Sequence, residues 1–243
     1  MSHLRSFGIC RRSFCVLCSP RSGVPPRGFM KHAALGFRAH SGWTALVAIS
    51  LEDGSPHVLV RERPHLVNTF TFEFRQPYHT AERRPPAESH HIISRARAEA
   101  RELACQAILS TQTSLHHQGY ELRNCGLLLA SGKPLPDLPR ILASHALIHT
   151  ADGELFRGAL LHAAARCGLE MFVVKESELF DCASRTLGLE NNEVVRRLVL
   201  IGQPIGPPWT QDEKLSALIA WLSIVTSASL SQVVSRIPNE RRT

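Results

Sequence analysis

The sequence lacks any apolar run approaching the roughly 20 residues that a membrane-spanning helix needs. The longest candidate, residues 215–225, is too short and is interrupted by Ser216 and Ser223. Also missing are a nucleophile elbow, a phosphate-cradling glycine loop and a dinucleotide fingerprint. Their absence removes the enzyme classes that those motifs mark. Gly36 and Gly42 alone do not supply one.

Acidic residues are absent from residues 1–33, where Arg5, Arg11, Arg12, Arg21, Arg27 and Lys31 stand. These account for most of the formal net charge of +7. Residues 34–243 are therefore close to neutral, and composition does not predict a basic nucleic-acid footprint on the folded part. The basic tail has three readings: a mitochondrial-type presequence, a disordered basic arm, or a stretch that is not translated, with Met30 as the true start. The last is preferred, because Met30-Lys31-His32 leads directly into a strand pattern.

The seven cysteines are odd in number, and four (Cys105, Cys125, Cys167 and Cys182) lie in apolar stretches. That argues for free thiols in a reducing compartment rather than a disulfide framework, and the chain is expected to be soluble and cytoplasmic. Cys15 and Cys18, with Cys10 and His3 nearby, make only a lone half of a zinc site, since such sites usually pair two units.

What is present is ordinary globular material, 44% hydrophobic and 20% charged, enough for one large core. The division expected is a basic tail over 1–33, an α/β domain over 34–230 and a disordered tail over 231–243. Residues 34–37, 43–49 and 57–61 read as three strands joined by short turns, hence an antiparallel meander. Residues 69–74 alternate with period 2, as a further strand would. Ser89 is placed to cap a long helix ending at Gly119, with Ile93, Ala96, Ala100, Leu103, Ala107 and Thr111 on one stripe. Apolar runs at 127–130 and 171–174 read as buried strands. A helix opened by Thr150 or Asp152 separates them and ends at Gly168. The remainder reads as helices, the last opened by the capping-box spacing of Thr210 and Glu213. Trp209 is expected to staple that helix. Strands that alternate with helices add in parallel, so a mixed sheet with flanking helices follows.

Two stretches carry a family resemblance. Gly36-Phe37-Arg38-Ala39-His40-Ser41-Gly42 sits where a first strand turns into a second, and Glu213-Lys214-Leu215-Ser216-Ala217-Leu218-Ile219-Ala220 opens the last helix. With the element order over residues 34 to about 225, they resemble the ribonuclease H-like superfamily, in its Holliday-junction resolvase branch. That branch has G-I-D-x-G-S at the first place and D-x-x-D-A-L-A at the second. The resemblance implies a nuclease in which clustered carboxylates hold two divalent metals. The residues depart from it. Arg38 replaces the first-strand aspartate, Leu129-Ala130-Ser131 offers no carboxylate, and Ser216 replaces one acid of the last helix.

A non-catalytic protein is therefore expected, binding an anionic ligand or a partner through an arginine in place of the metal site. Arg38, Ser41, Ser131, Lys133 and Lys214 are the candidates to converge at the strand ends, with a nucleotide or nucleic acid as the partner. The plainer alternative is that Arg38 pairs with Asp212 or Glu213. A divergent metal-dependent nuclease is the second hypothesis, with Glu154, Asp212 and Glu213 as relocated carboxylates. Only there is Mg or Mn implied; otherwise no metal or other cofactor is expected. A small-molecule enzyme using His149 and Glu154 as acid and base is the third. His79, His145, His149 and Glu154 would suit a metal only if His145 and His149 lay on a helix. The segment around them reads as irregular or extended, so loop and cap roles are expected for them.

Overall fold

A computed structural model describes residues 30–130 and 134–235, and side chains to residue 227. The expectations for residues 1–29, Ser131, Lys133 and 236–243 lie outside the described residues. The chain opens with strands β1 (Lys31–His40), β2 (Trp43–Glu52) and β3 (Ser55–Glu62). Gly42 turns the first pair at φ 84°, and Asp53-Gly54, both at positive φ, turn the second. Helices α1 (Phe72–Arg75), α2 (Pro77–Ala81) and α3 (Pro86–His117) follow, then β4 (Tyr120–Leu129). Next come α4 (Leu138–Leu142), α5 (His145–Arg166) and β5 (Glu170–Lys175). A 3-10 turn at Glu176–Glu178 leads into α6 (Leu179–Leu187), α7 (Asn191–Leu200) and α8 (Gln211–Ser235).

The five strands form one sheet in the order β3-β2-β1-β4-β5. The first three pair antiparallel, and β4 and β5 add parallel to β1. This is the mixed sheet expected of a meander followed by parallel strands. β1 begins at Lys31 and α8 runs to Ser235, both beyond the expected limits of 34 and 230. No helix among the described residues is long and apolar enough to cross a membrane.

Side-chain alternation along the central strand builds a core on each face. Ala33, Leu35 and Phe37 pack with the buried faces of α3 and α5. Ala34 packs with α6, α7 and α8 on the opposite face. On that face Gly36 and Gly126 are register partners on adjacent strands. A Cβ at Gly36 would stand 1.8 Å from the Ser216 carbonyl oxygen, and one at Gly126 would stand 2.6 Å from that of Ile219. The paired glycines thus let the α8 backbone rest directly on the sheet. This contact aims the first turn of α8 at the carboxyl ends of the parallel strands.

Several elements differ from expectation for identifiable reasons. Residues 69–74 include the helix α1 rather than a strand; Phe70 and Phe72 are exposed, and of the three alternating phenylalanines only Phe74 packs on the core. Helix α3 starts at Pro86, whose fixed φ suits a first helical position. Ser89 lies inside it, buried, donating to the carbonyls of Ala81 and Arg84. The deep side of α3 is Ile93, Ala100, Ala104, Ile108, Thr111 and Leu115; Ile93, Ala100 and Thr111 of the expected stripe are buried, while Ala96, Leu103 and Ala107 are only half-buried. Strand β5 is an edge strand with Val173 exposed, not a buried one. Helix α5 begins at His145, after the extended Ser144, rather than at Thr150 or Asp152. Trp209 lies over Gly202 and donates its indole N–H to the Leu198 carbonyl, so it ties the end of α7 to the segment preceding α8.

The glycine seat predicts that Gly36→Ala loses more than about 3 kcal/mol of stability by overpacking. Gly158 is mid-helix with nothing near its Cβ position, so Gly158→Ala gains about 0.5–1 kcal/mol. Urea unfolding of both variants checks the pair. Equal effects would remove the proposed close contact.

Candidate functional site

The carboxyl ends of β1, β4 and β5 lie along one edge of the sheet, the usual ligand edge of open α/β folds. Arg38 projects there from β1, on the same face as α8. Its Nε donates to Glu176 Oε2 at 3.0 Å and its Nη2 to Glu176 Oε1 at 2.7 Å. The result is a two-pronged fork on the carboxylate that immediately follows β5. The third nitrogen, Nη1, donates to Asp212 Oδ1 in the first turn of α8. Arg38 therefore bridges β4 from side to side, and its charge is shared between two acids.

His40, Trp43 and Arg63 hold this cluster from the β2 side. His40 Nε2 lies 2.9 Å from Asp212 Oδ1, and its ring stacks on Trp43 at 4.2 Å between centroids. Arg63, just after β3, sits over the Trp43 ring at 5.1 Å and donates from Nε to Glu213 Oε1 at 2.7 Å. Glu213 is 1% exposed. Its other oxygen accepts the Thr210 backbone N–H at 2.8 Å and the Thr210 hydroxyl at 2.5 Å. That is the reach-back half of the capping box expected from the spacing.

The electrostatics follow from these contacts. Hydrogen bonds from Arg38 to Glu176 raise the Arg38 guanidinium further above its already high value. Burial pushes Asp212 up, but its bonds from Arg38 and His40 outweigh this and hold it below the usual carboxylate range. Glu213 is likewise raised by burial and brought lower overall by Thr210 and Arg63. Burial holds His40 below the ordinary histidine value, although Asp212 pulls it up. Three carboxylates face two arginines, and each charge in the group has a partner. Buried acids left unpaired would be costly.

The other expected residues are placed as follows. Glu154 is on α5, which packs on the opposite face of the sheet, and it takes Arg157 Nη1 at 2.9 Å. It does not join Asp212 and Glu213. Ser41 contributes its backbone carbonyl to Arg75 Nε at 3.0 Å. Lys214 is half-buried in the first turn of α8, and its side chain makes no hydrogen bond or ion pair among the described residues. His145 and His149 are on a helix after all, four residues apart on α5, with His79 of α2 against them. Glu176, Arg63 and His40 were not singled out in the sequence. Glu176 carried a legible signal, as the first residue after a strand that adds in parallel.

No family model matches the chain, and no curated protein matches it. Among solved structures, Thermus thermophilus RuvC in complex with a Holliday junction substrate is similar at 10% identity. That match covers 82% of this chain and 96% of that one, with a TM-score of 0.47. A second structure of Thermus thermophilus RuvC matches at 11% identity, covering 81% and 96% of the two chains, with a TM-score of 0.43.

Removing the Arg38 charge leaves Glu176 and Asp212 facing each other with less compensation. Arg38→Met is therefore expected to cost roughly 1–3 kcal/mol at pH 7, the range for leaving a buried polar group without its partner. Asp212 is depressed in the folded state, so its contribution is complete above its unfolded value and is lost as pH falls through the lower folded value. The gap in Tm between wild type and Arg38→Met should hold from pH 7 to about pH 5 and narrow from there down to about pH 3. A gap that stays constant over that range would contradict the ion-cluster account.

Proposed function

We propose that this chain has a ribonuclease H-like architecture whose strand-end carboxylate site is closed by an arginine, so that it acts by binding a partner rather than by cutting a phosphodiester. One observation carries this reading: the Arg38 guanidinium is forked on Glu176 and bonded to Asp212. A two-metal nuclease needs that space for hard cations held by oxygen ligands. An arginine there supplies fixed positive charge and no Lewis acid able to activate water. The same commitment limits Arg38 as an anion receptor, because a phosphate would have to displace a carboxylate. A nucleotide or nucleic acid approaching this edge meets instead Lys214 and the exposed side of Arg63, which is 41% accessible.

A second reading is favoured by a specific feature. Glu176, Asp212 and Glu213 gather from the end of β5 and the start of α8, and they would be metal ligands if Arg38 swung away. The two readings separate in one experiment with Mg²⁺, which prefers oxygen ligands. Wild type is expected to show no Mg²⁺-dependent rise in Tm and no cleavage of branched DNA or structured RNA. Arg38→Ala is expected to gain a Mg²⁺-dependent rise, by the linkage of binding to folding. Cleavage by wild type that disappears in Glu176→Gln and Asp212→Asn would overturn the binding reading and establish the nuclease.

A further inference from the structure

On the face of the sheet opposite Arg38, three of the chain's 13 histidines converge. His145 and His149 stand one helical turn apart on α5, with their Nε2 atoms 3.0 Å from each other. His79, on α2, packs edge-on against both, at 5.4 Å and 4.4 Å between ring centroids. One ring nitrogen from each of the three lies within 4.8 Å of the others. Imidazole nitrogens bound to tetrahedral zinc at about 2.0–2.1 Å stand about 3.3 Å apart. The spacing of the His145 and His149 nitrogens is close to that.

The orientation of His79 is fixed from behind. Its Nδ1 lies 2.6 Å from Oδ2 of Asp152, a carboxylate that is 2% exposed. The other oxygen of Asp152 accepts the backbone N–H of Tyr78 at 2.8 Å. Asp152 therefore clamps both the ring and the first turn of α2; an ionised Asp152 can only accept, which makes Nδ1–H the donor. That tautomer leaves the Nε2 lone pair of His79 free. A buried carboxylate behind a histidine is the usual means by which proteins aim a metal-binding imidazole and raise its basicity. The two α5 histidines are exposed, so a fourth coordination position opens to solvent.

We propose that His79, His145 and His149 form a binding site for one divalent transition-metal ion of the zinc class. Three imidazoles select zinc, cobalt, nickel or copper over the hard cations magnesium and calcium. Asp152 acts as a positioning residue and does not touch the ion. The fourth position takes water or an external ligand. This site is separate from the Arg38 cluster and is independent of the function proposed for it.

The test uses the full chain without an affinity tag, titrated with CoCl₂ and ZnCl₂. One equivalent of Co²⁺ should give the visible bands of a four-coordinate ion, with no thiolate charge-transfer band, and Zn²⁺ should displace it. His145→Ala and His149→Ala, at exposed positions that leave folding intact, should each weaken binding roughly 100-fold or more. Asp152→Asn should weaken it about 10–100-fold while leaving the form of the cobalt spectrum unchanged. The proposal is overturned if wild type gives no cobalt spectrum, or if binding survives in the His145→Ala/His149→Ala double variant. A thiolate band that vanishes in Cys15→Ser/Cys18→Ser would equally overturn it, by placing the ion on the amino-terminal cysteines.

Discussion

The structure depends on one close contact, the seat of α8 on the paired glycines of β1 and β4. Gly36 and Gly126 are neighbours in register, and the carbonyls of Ser216 and Ile219 come where their side chains would be. The contact carries the second core, since α8 supplies much of the buried apolar surface on that face. It also fixes direction. A helix lying that close to the sheet has little freedom to slide, so its first turn delivers Asp212 and Glu213 to the strand ends.

The chemistry of the strand ends follows from that placement. Two acids of α8 and the acid after β5 meet in a half-buried space. Like charges that close need a counter-charge, whether a metal or a side chain. This sequence places Arg38 on β1, two strands from β5 and facing α8, where its planar fork spans the gap. Arg63, held by Trp43, does the same for the most buried of the three, Glu213. The two arginines supply that counter-charge.

Much of the fold was legible in the sequence because its signals were local. Strand alternation, turns at Gly42 and Asp53-Gly54, and glycine ends to helices mark the elements one by one. The capping spacing of Thr210 and Glu213 located the start of α8, and Arg38 does pair with Asp212, one of the two partners expected. What stayed hidden was non-local. Glu176 meets Arg38 only because β5 lies one strand beyond β4, which spacing along the chain does not show. Glu154 was misplaced because its helix covers the other face. His145 and His149 read as irregular because the helix was expected to open only at Thr150 or Asp152, whereas it opens at His145. Packing of Ile148, Ala151, Leu155 and Phe156 into the core holds that stretch as helix regardless.

In this structure Arg38 holds the strand-end carboxylates Glu176 and Asp212 together. Anomalous diffraction from crystals of the wild-type chain soaked in MnCl₂ tests it most directly. No manganese peak is expected within reach of Glu176 and Asp212, with the Arg38 guanidinium still forked on Glu176. A manganese peak between those two carboxylates, with Arg38 turned away, would contradict it.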